Sequence, residues 1–160
     1  MTDRETDASE LLARLAEDER LLDAAYRSVA RSFGMPDCAM WVLYFLAIAD
    51  DPLTQQGLCD LMMYPKQTVN SSVTKLKAQG LVELAPASGM GHGKHVVLTK
   101  AGAEAAKDTV LRLRAAEERA LASMGREAMA RFSQLYRQFR EAVQAELASE
   151  GFIDAQESGR

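Results

Sequence analysis

Apolar residues recur at helical spacing through the first third of the chain. Between residues 9 and 33 they lie three, four or seven positions apart, which predicts one long amphipathic helix with Ser9 as its N-cap. Gly34 would end this helix, because glycine is favoured just after a helix C-terminus. Residues 38–49 are apolar on nearly every side, so we expect a second helix, capped by Asp37, at the centre of the core.

Shorter elements follow in the middle of the chain. Leu53 predicts a very short strand, and Thr54 is a suitable N-cap for a helix over Gln55–Met62. The inward residues of that helix would be Leu58, Leu61 and Met62. A further helix starts at Pro65, which needs no backbone N–H at a first helical position, and stops at Gly80. Its expected buried stripe consists of Val69, Val73 and Leu76.

The second half of the chain predicts a hairpin and then two long helices. Two β-prone runs, residues 81–85 and 95–98, flank a glycine-rich connection and so favour a β-hairpin. Thr99 would cap a helix that reaches about Leu121, and Gly125 marks a break before the last helix. The last helix carries an apolar stripe of Phe132, Leu135, Phe139, Val143 and Leu147.

Composition is that of a single domain with a substantial core. The 160 residues are the length of one domain, and an apolar fraction of 48 % rules out wholesale disorder. The longest apolar run, residues 39–49, is well short of the ~18 residues of a membrane span, so no membrane partner is expected. The polar, acidic N-terminus is unlike a signal or transit peptide, which predicts a cytoplasmic protein.

Charge is distributed unevenly along the chain. Residues 1–53 carry five basic and eleven acidic groups, whereas residues 54–100 carry five lysines and two acidic groups. The remaining residues carry nine basic and ten acidic groups, and the net charge of the chain is −4. A basic middle between acidic flanks favours a central segment that contacts a polyanion, although an excess of this size also arises by chance.

The helix that starts at Pro65 has a polar face suited to nucleic-acid recognition. A helical projection places a set of small and amide side chains opposite its apolar stripe. They are Gln67, Asn70, Ser71, Thr74 and Ala78, with Lys66 and Lys75 at the margins. Amide side chains can bond adenine edges, hydroxyls can bond bases or phosphates, and lysines neutralise phosphates. Since no acidic residue occurs between Met62 and Leu81, this face is predicted to enter a major groove rather than to be an ordinary solvated surface.

Three stretches of the sequence resemble MarR-family regulators, which are dimeric winged-helix transcription factors. These stretches are Thr54-Gln-Gln-Gly-Leu-Cys-Asp-Leu, residues 65–82, and Val96-Val-Leu-Thr-Lys-Ala-Gly. The resemblance implies a mainly α fold with a small β-wing, in which a winged helix-turn-helix is flanked by long dimerisation helices. The expected regions are an N-terminal dimerisation helix (1–34), the DNA-binding region (35–99), C-terminal dimerisation helices (100–150) and a frayed tail (151–160).

The resemblance also implies which residues contact DNA and an effector. Residues 65–79 would be the recognition helix and residues 81–98 the wing. The expected DNA-binding residues are Thr54, Gln55, Lys66, Gln67, Thr68, Asn70, Ser71, Thr74, Lys75, His92 and Lys94. The expected partners are a double-stranded DNA operator, a second copy of the chain, and a small aromatic or apolar effector that releases a repressor. The candidate effector-binding residues are Tyr26, Met40, Trp41 and Tyr44.

The sequence departs from the family pattern in the wing, and this leaves two other interpretations open. Where the family commonly has an acidic residue and an arginine, this chain has Met90 and His92, with Lys94 as the nearest cation. One alternative is therefore a ligand-binding dimer of the same fold that no longer reads DNA. The other is a thiol sensor acting through Cys38 or Cys59, although buried, inert thiols are the default expectation.

Other kinds of site have weaker support. His92 and His95 would fall on opposite faces of a strand with no cysteine or carboxylate nearby, so no metal site is expected. The glycines at 89, 91 and 93 lie in a hairpin, not in the strand-to-helix turn of a phosphate loop. No nucleophile–base pair or carboxylate cluster is visible, so we expect neither an enzyme nor a cofactor.

Overall fold

The computed structural model describes residues 3–86 and 94–153, with side chains described from residue 7. In chain order its helices are α1 (Asp3–Ser32), α2 (Asp37–Ile48), α3 (Gln55–Met62), α4 (Lys66–Ala78), α5 (Lys100–Asp108), α6 (Val110–Ser123) and α7 (Arg126–Ser149). Its strands are β1 (Leu53–Thr54), β2 (Val82–Pro86) and β3 (Lys94–Leu98). The predicted fold class, mainly α with a small β-wing, is confirmed.

The chain divides into two compact units, one ending at Leu113 and the other beginning at Arg114. The first unit contains α1 to α5, the three strands and the start of α6, and the second contains the rest of α6 and α7. In the described part of the chain, no helix combines the length and apolar character needed to cross a bilayer.

The core of the first unit is centred on α2, as predicted from its apolar composition. Six of its twelve residues are buried, and Met40, Val42 and Leu43 have no solvent exposure. They belong to one apolar cluster with residues from α3, α4, β2, β3 and α6. The burial of apolar side chains is the main stabilising contribution to such a fold. Helix α4 takes part in this core through its apolar face only.

The three strands form a small antiparallel sheet in the order β1-β3-β2. Val82 pairs with Leu98, Pro86 pairs with Lys94, and Leu53 of β1 pairs with Val96. This confirms the predicted hairpin and the short strand at Leu53. The glycine-rich connection between β2 and β3 lies outside the described residues.

Two predicted helix caps are wrong. Helix α1 begins at Asp3, so Ser9 lies inside the helix and cannot be its N-cap, which is the residue just before the first helical turn. Pro36, not Asp37, occupies the N-cap of α2. The carboxylate of Asp37 instead accepts a hydrogen bond from the Tyr64 hydroxyl, a contact between residues far apart in sequence.

Two further expectations about side-chain burial and helix length are wrong. Leu61 is exposed, because the buried stripe of α3 is centred on Leu58 and Cys59 and a helix turns about 100° per residue. The helix capped by Thr99 does not reach Leu121 unbroken. Helix α5 ends at Asp108, and its C-cap is Thr109, whose hydroxyl donates to the Ala105 carbonyl at 2.6 Å. A hydroxyl bonded in this way competes with the regular helix, and α6 restarts at the next residue.

Candidate nucleic-acid interface

Helix α4 has the two faces that the sequence predicts. Val69, Val73 and Leu76 are each at most 2 % exposed. The opposite side of the helix is open to solvent at Gln67, Thr68, Ser71, Thr74 and Ala78. Pro65 is the N-cap rather than the first helical residue, and its carbonyl accepts the Thr68 N–H at 2.9 Å. The helix therefore offers short polar side chains to a partner while its apolar stripe anchors it.

The lysines near this face carry unpaired charge. Lys66, Lys75 and Lys77 of α4 are exposed, as are Lys94 of β3 and Lys100 of α5. None of the five forms an ion pair with a carboxylate among the described side chains. Unpaired ammonium groups produce a local positive potential that attracts phosphate, although the whole chain is acidic.

Three of the predicted contact residues are less open than expected. Asn70 is half-buried, and its Oδ1 atom is buried with no hydrogen-bond partner among the described residues. It lies directly after Val69, so it is at the edge of the buried stripe. Thr54 accepts the Gly57 N–H at 3.0 Å, which confirms its predicted role as the N-cap of α3, and Gln55 beside it is half-buried.

The base of the predicted wing is formed by β2 and β3. Lys94 is exposed at the first position of β3, opposite Pro86. His95 is half-buried and pairs with Ala85 on one side and with Thr54 on the other. His92 lies outside the described residues, so its contact with DNA stays a prediction.

Three hydrogen bonds of Thr99 connect the segment after the C-terminal end of α4 to the start of α5. The Thr99 hydroxyl donates to the Gly80 carbonyl at 2.6 Å, and the Thr99 N–H donates to the Leu81 carbonyl at 3.0 Å. The same hydroxyl oxygen accepts the Gly102 N–H at 3.0 Å. A Cβ at Gly102 would lie 1.8 Å from the Leu81 carbonyl oxygen, so only glycine fits there. The C-terminal end of α4 and the β2–β3 pair are thus connected to the start of α5.

The cysteines are buried beside α4, as predicted. Burial raises the pKa of the Cys38 thiol, and this effect outweighs the hydrogen bond from Ser72. Because the thiolate is the reactive form, the raised pKa disfavours a sensing role for Cys38. Ser72 is a buried polar residue that the sequence analysis missed, since it stands among exposed polar neighbours; its position next to Val73 was the available signal.

The candidate effector residues lie in an aromatic cluster between α1 and α2. The ring of Trp41 packs edge-on against Tyr26 at 5.1 Å and against Tyr44 at 5.3 Å. Phe45, which the sequence analysis treated as core, packs against Tyr44 at 5.6 Å. Met40 has no solvent exposure and belongs to the core cluster. The structure therefore brings the three predicted aromatic residues together, whereas Met40 is fully buried in the core.

The described residues contain no group of three histidine, cysteine or acidic side chains close enough to hold a metal ion. What they do contain is a short helix, a tight turn, a second helix with an open polar face, and a β-hairpin on a shared scaffold. This arrangement defines a winged helix-turn-helix protein.

Comparison with known proteins supports the resemblance to the MarR family. Residues 33–90 match the model of the MarR family. The chain is similar to NMB1585, a MarR family regulator from Neisseria meningitidis, with 20 % identity over 88 % of this chain and 98 % of that one and a TM-score of 0.74. It is also similar to the MarR family transcriptional regulator SPO1453 from Silicibacter pomeroyi, with 25 % identity over 83 % and 94 % of the two chains and a TM-score of 0.64.

A third similar structure is that of NadR in complex with 4-hydroxyphenylacetate. It shares 18 % identity over 79 % of this chain and 89 % of that one, with a TM-score of 0.65. No curated protein matches the chain in sequence. The match of residues 33–90 to the family model and the shared fold both agree with the resemblance to MarR-family regulators found in the sequence.

Proposed function

We propose that this protein is a homodimeric, sequence-specific DNA-binding regulator of transcription, acting as a cytoplasmic repressor that a small ligand releases. The observation that carries the proposal is the open face of α4. It presents an amide and three hydroxyls between lysines that no described carboxylate neutralises. Such a face can bond base edges and phosphates at the same time.

The scaffold supports base reading because it holds α4 along its middle and at its C-terminal end. The apolar stripe fixes the middle of the helix in the core, and the bonds around Thr99 fix its C-terminal end. Bidentate contacts from glutamine to adenine require a defined helix position, and each is worth about 1–3 kcal/mol of discrimination. We therefore expect Gln67 to specify bases and Lys66 and Lys75 to bind phosphate.

The helices outside the winged-helix core support a dimer. No residue of α7 is buried, and its apolar residues Phe132, Leu135, Phe139, Val143 and Leu147 are each at least 38 % exposed. An open crevice of about 680 Å³ in the second unit is lined by Phe132 and Tyr136 and by Arg126, Arg137 and Arg140.

Helix α1 of a second copy has the matching chemistry for this crevice. Leu11, Leu12, Leu21 and Leu22 are all more than half exposed on α1. Between these two leucine pairs lie Asp18 and Glu19, neither of which forms an ion pair with a described cation. Leucines with acidic neighbours complement an aromatic crevice rimmed by arginines, so a second copy is the occupant that we propose.

The aromatic cluster around Trp41 is the proposed effector site. NadR holds a hydroxylated aromatic carboxylate, and a cluster of Tyr26, Trp41 and Tyr44 has the ring faces and phenol groups to bind an aromatic compound. Release would follow if the ligand favours a dimer whose two recognition helices are badly spaced for DNA.

Selection of operators from random DNA, followed by binding measurements over a range of salt concentrations, tests this function. We expect a pseudo-palindrome with half-sites about 10 bp apart, and an affinity that falls steeply with salt. Equal affinity for every sequence, or none, would reject specific regulation and favour a ligand-binding dimer of the same fold.

A further inference from the structure

The turn between α3 and α4 has one inward contact, made by Tyr64. Met63 is 89 % exposed and adopts a left-handed conformation with φ of 55°, and Pro65 is also exposed. Tyr64 between them is half-buried, and its hydroxyl donates to the Asp37 carboxylate at the start of α2. This contact connects the turn that starts the recognition helix to the helix at the centre of the core.

The surroundings of this hydrogen bond keep Tyr64 as its donor. Burial, and then the bond to Asp37, raise the pKa of Tyr64, so the phenol stays protonated and remains a donor. Asp23 of α1 also lies near enough to act on Tyr64 in the same direction. The second carboxylate oxygen of Asp37 is buried with no hydrogen-bond partner among the described residues, so Tyr64 is the donor on which this carboxylate depends.

We propose that Tyr64 is a positioning residue for DNA recognition, whose bond to Asp37 fixes the first turn of α4 and therefore the base-reading side chain of Gln67. Gln67 lies three residues after Tyr64, within the first helical turn. That turn is closed by the Pro65 carbonyl, which accepts the Thr68 and Val69 N–H groups at 2.9 and 3.2 Å. This inference rests on the proposed DNA-binding function and explains how one end of α4 is set.

The position of Asp37 gives the bond a second consequence. Trp41 lies one helical turn after Asp37 on α2 and carries the contacts to Tyr26 and Tyr44. A shift of α2 caused by an aromatic ligand would therefore move the acceptor of Tyr64. The bond is the direct hydrogen-bonded connection between the effector-binding helix and the turn before the recognition helix.

Four single variants of the 160-residue chain, together with the double variant Tyr64→Phe/Asp37→Ala, test the proposal. Tyr64→Phe removes the hydroxyl and keeps the ring, while Asp37→Ala removes the acceptor. Asp37→Asn keeps an acceptor oxygen and should rescue most of the effect. Ser32→Ala is the matched control, because it removes an exposed hydroxyl whose hydrogen bond, to the Val29 carbonyl, stays within α1. For each variant, binding to the selected operator and to random DNA is measured, together with hydrogen exchange of the Thr68 and Val69 amides.

We expect Tyr64→Phe and Asp37→Ala each to lower the operator-to-random affinity ratio about tenfold, with no further loss in the double variant, as for two partners in one bond. Exchange at Thr68 and Val69 should accelerate in both, and Ser32→Ala should match the wild type. An unchanged affinity ratio and unchanged exchange in Tyr64→Phe would overturn the proposal, even if the variant were less stable. A wild-type chain without operator preference would reject the DNA-binding function itself, while the exchange data would still decide whether the bond fixes α4.

Discussion

Helices α4 and α7 are both amphipathic, yet they use their two faces in opposite ways. In α4 the apolar stripe is buried in the core and the polar face is open. In α7 no residue is buried and the apolar stripe is open. An amphipathic pattern therefore does not by itself tell which face is functional. The buried face of an amphipathic helix stabilises the fold, and its solvent-exposed face indicates the kind of partner it binds. For α4 the expected partner is DNA, and for α7 it is a second apolar protein surface.

The largest expected effect is a charge placed in the stripe of α7. Phe139→Glu should convert the dimer into monomers or unfold it, because burying an unpaired carboxylate in an interface costs about 3–5 kcal/mol. Gln138→Glu adds the same charge at the neighbouring exposed position and should leave the dimer intact. Sedimentation velocity at micromolar concentration measures both. Equal behaviour of the two variants would mean that α7 has no partner on its apolar face.

The next effect concerns the scaffold that holds α4. Gly102→Ala should destabilise the winged-helix unit by about 3 kcal/mol, because its Cβ would lie 1.8 Å from the Leu81 carbonyl oxygen and the backbone would have to move. Gly57→Ala is the matched control, since its Cβ would have no neighbour closer than 3.5 Å and alanine favours a helix by up to about 1 kcal/mol. Thermal unfolding of both proteins should give shifts of opposite sign.

A smaller effect tests the polar face of α4. Gln67→Ala should cost about 1–3 kcal/mol on the operator and relax the preference at one base position, with little change on random DNA. Lys75→Ala in the same helix should weaken all sequences alike, because lysine binds phosphate as a point charge. Competition binding with single-base operator variants separates these outcomes. If Gln67→Ala also weakened all sequences equally, base reading by this side chain would be wrong.

The smallest effect lies in the wing. Lys94→Ala should weaken every DNA sequence alike and reduce the slope of log K against log salt by about one. Lys107→Ala removes a lysine that is paired with Glu104 at 2.9 Å on α5, and it should leave the slope unchanged. A salt titration of DNA affinity provides both values. An unaltered slope for Lys94→Ala would show that the base of the wing does not reach phosphate.

Local patterns were sufficient to predict much of this molecule. The stripe of α4 follows from apolar spacing, and the caps at Thr54 and Thr99 follow from hydroxyl residues in front of helices. The open face of Gln67, Ser71 and Thr74 follows from the same periodicity. Each of these features depends on residues within one or two helical turns of one another.

The features that could not be predicted depend on residues distant in sequence. The bond between Asp37 and Tyr64 joins residues 27 positions apart, so Asp37 looked like an ordinary cap. The need for glycine at 102 arises from the approach of Leu81, which only the folded chain brings close. Thr109 is an intermediate case, because it lies inside a helical pattern and its hydroxyl bonds the Ala105 carbonyl at the point where α5 ends.

Trp41 gives the protein a built-in optical probe. It is the only tryptophan among the 160 residues, and its indole contacts Tyr26 of α1 and Tyr44 of α2. Selective excitation of the indole therefore reports on a single place, the packing between the first two helices, without any label. Emission wavelength, quenching by added iodide and energy transfer from the adjacent phenols would each follow a change in that packing in real time, in the intact protein and at nanomolar to micromolar concentration.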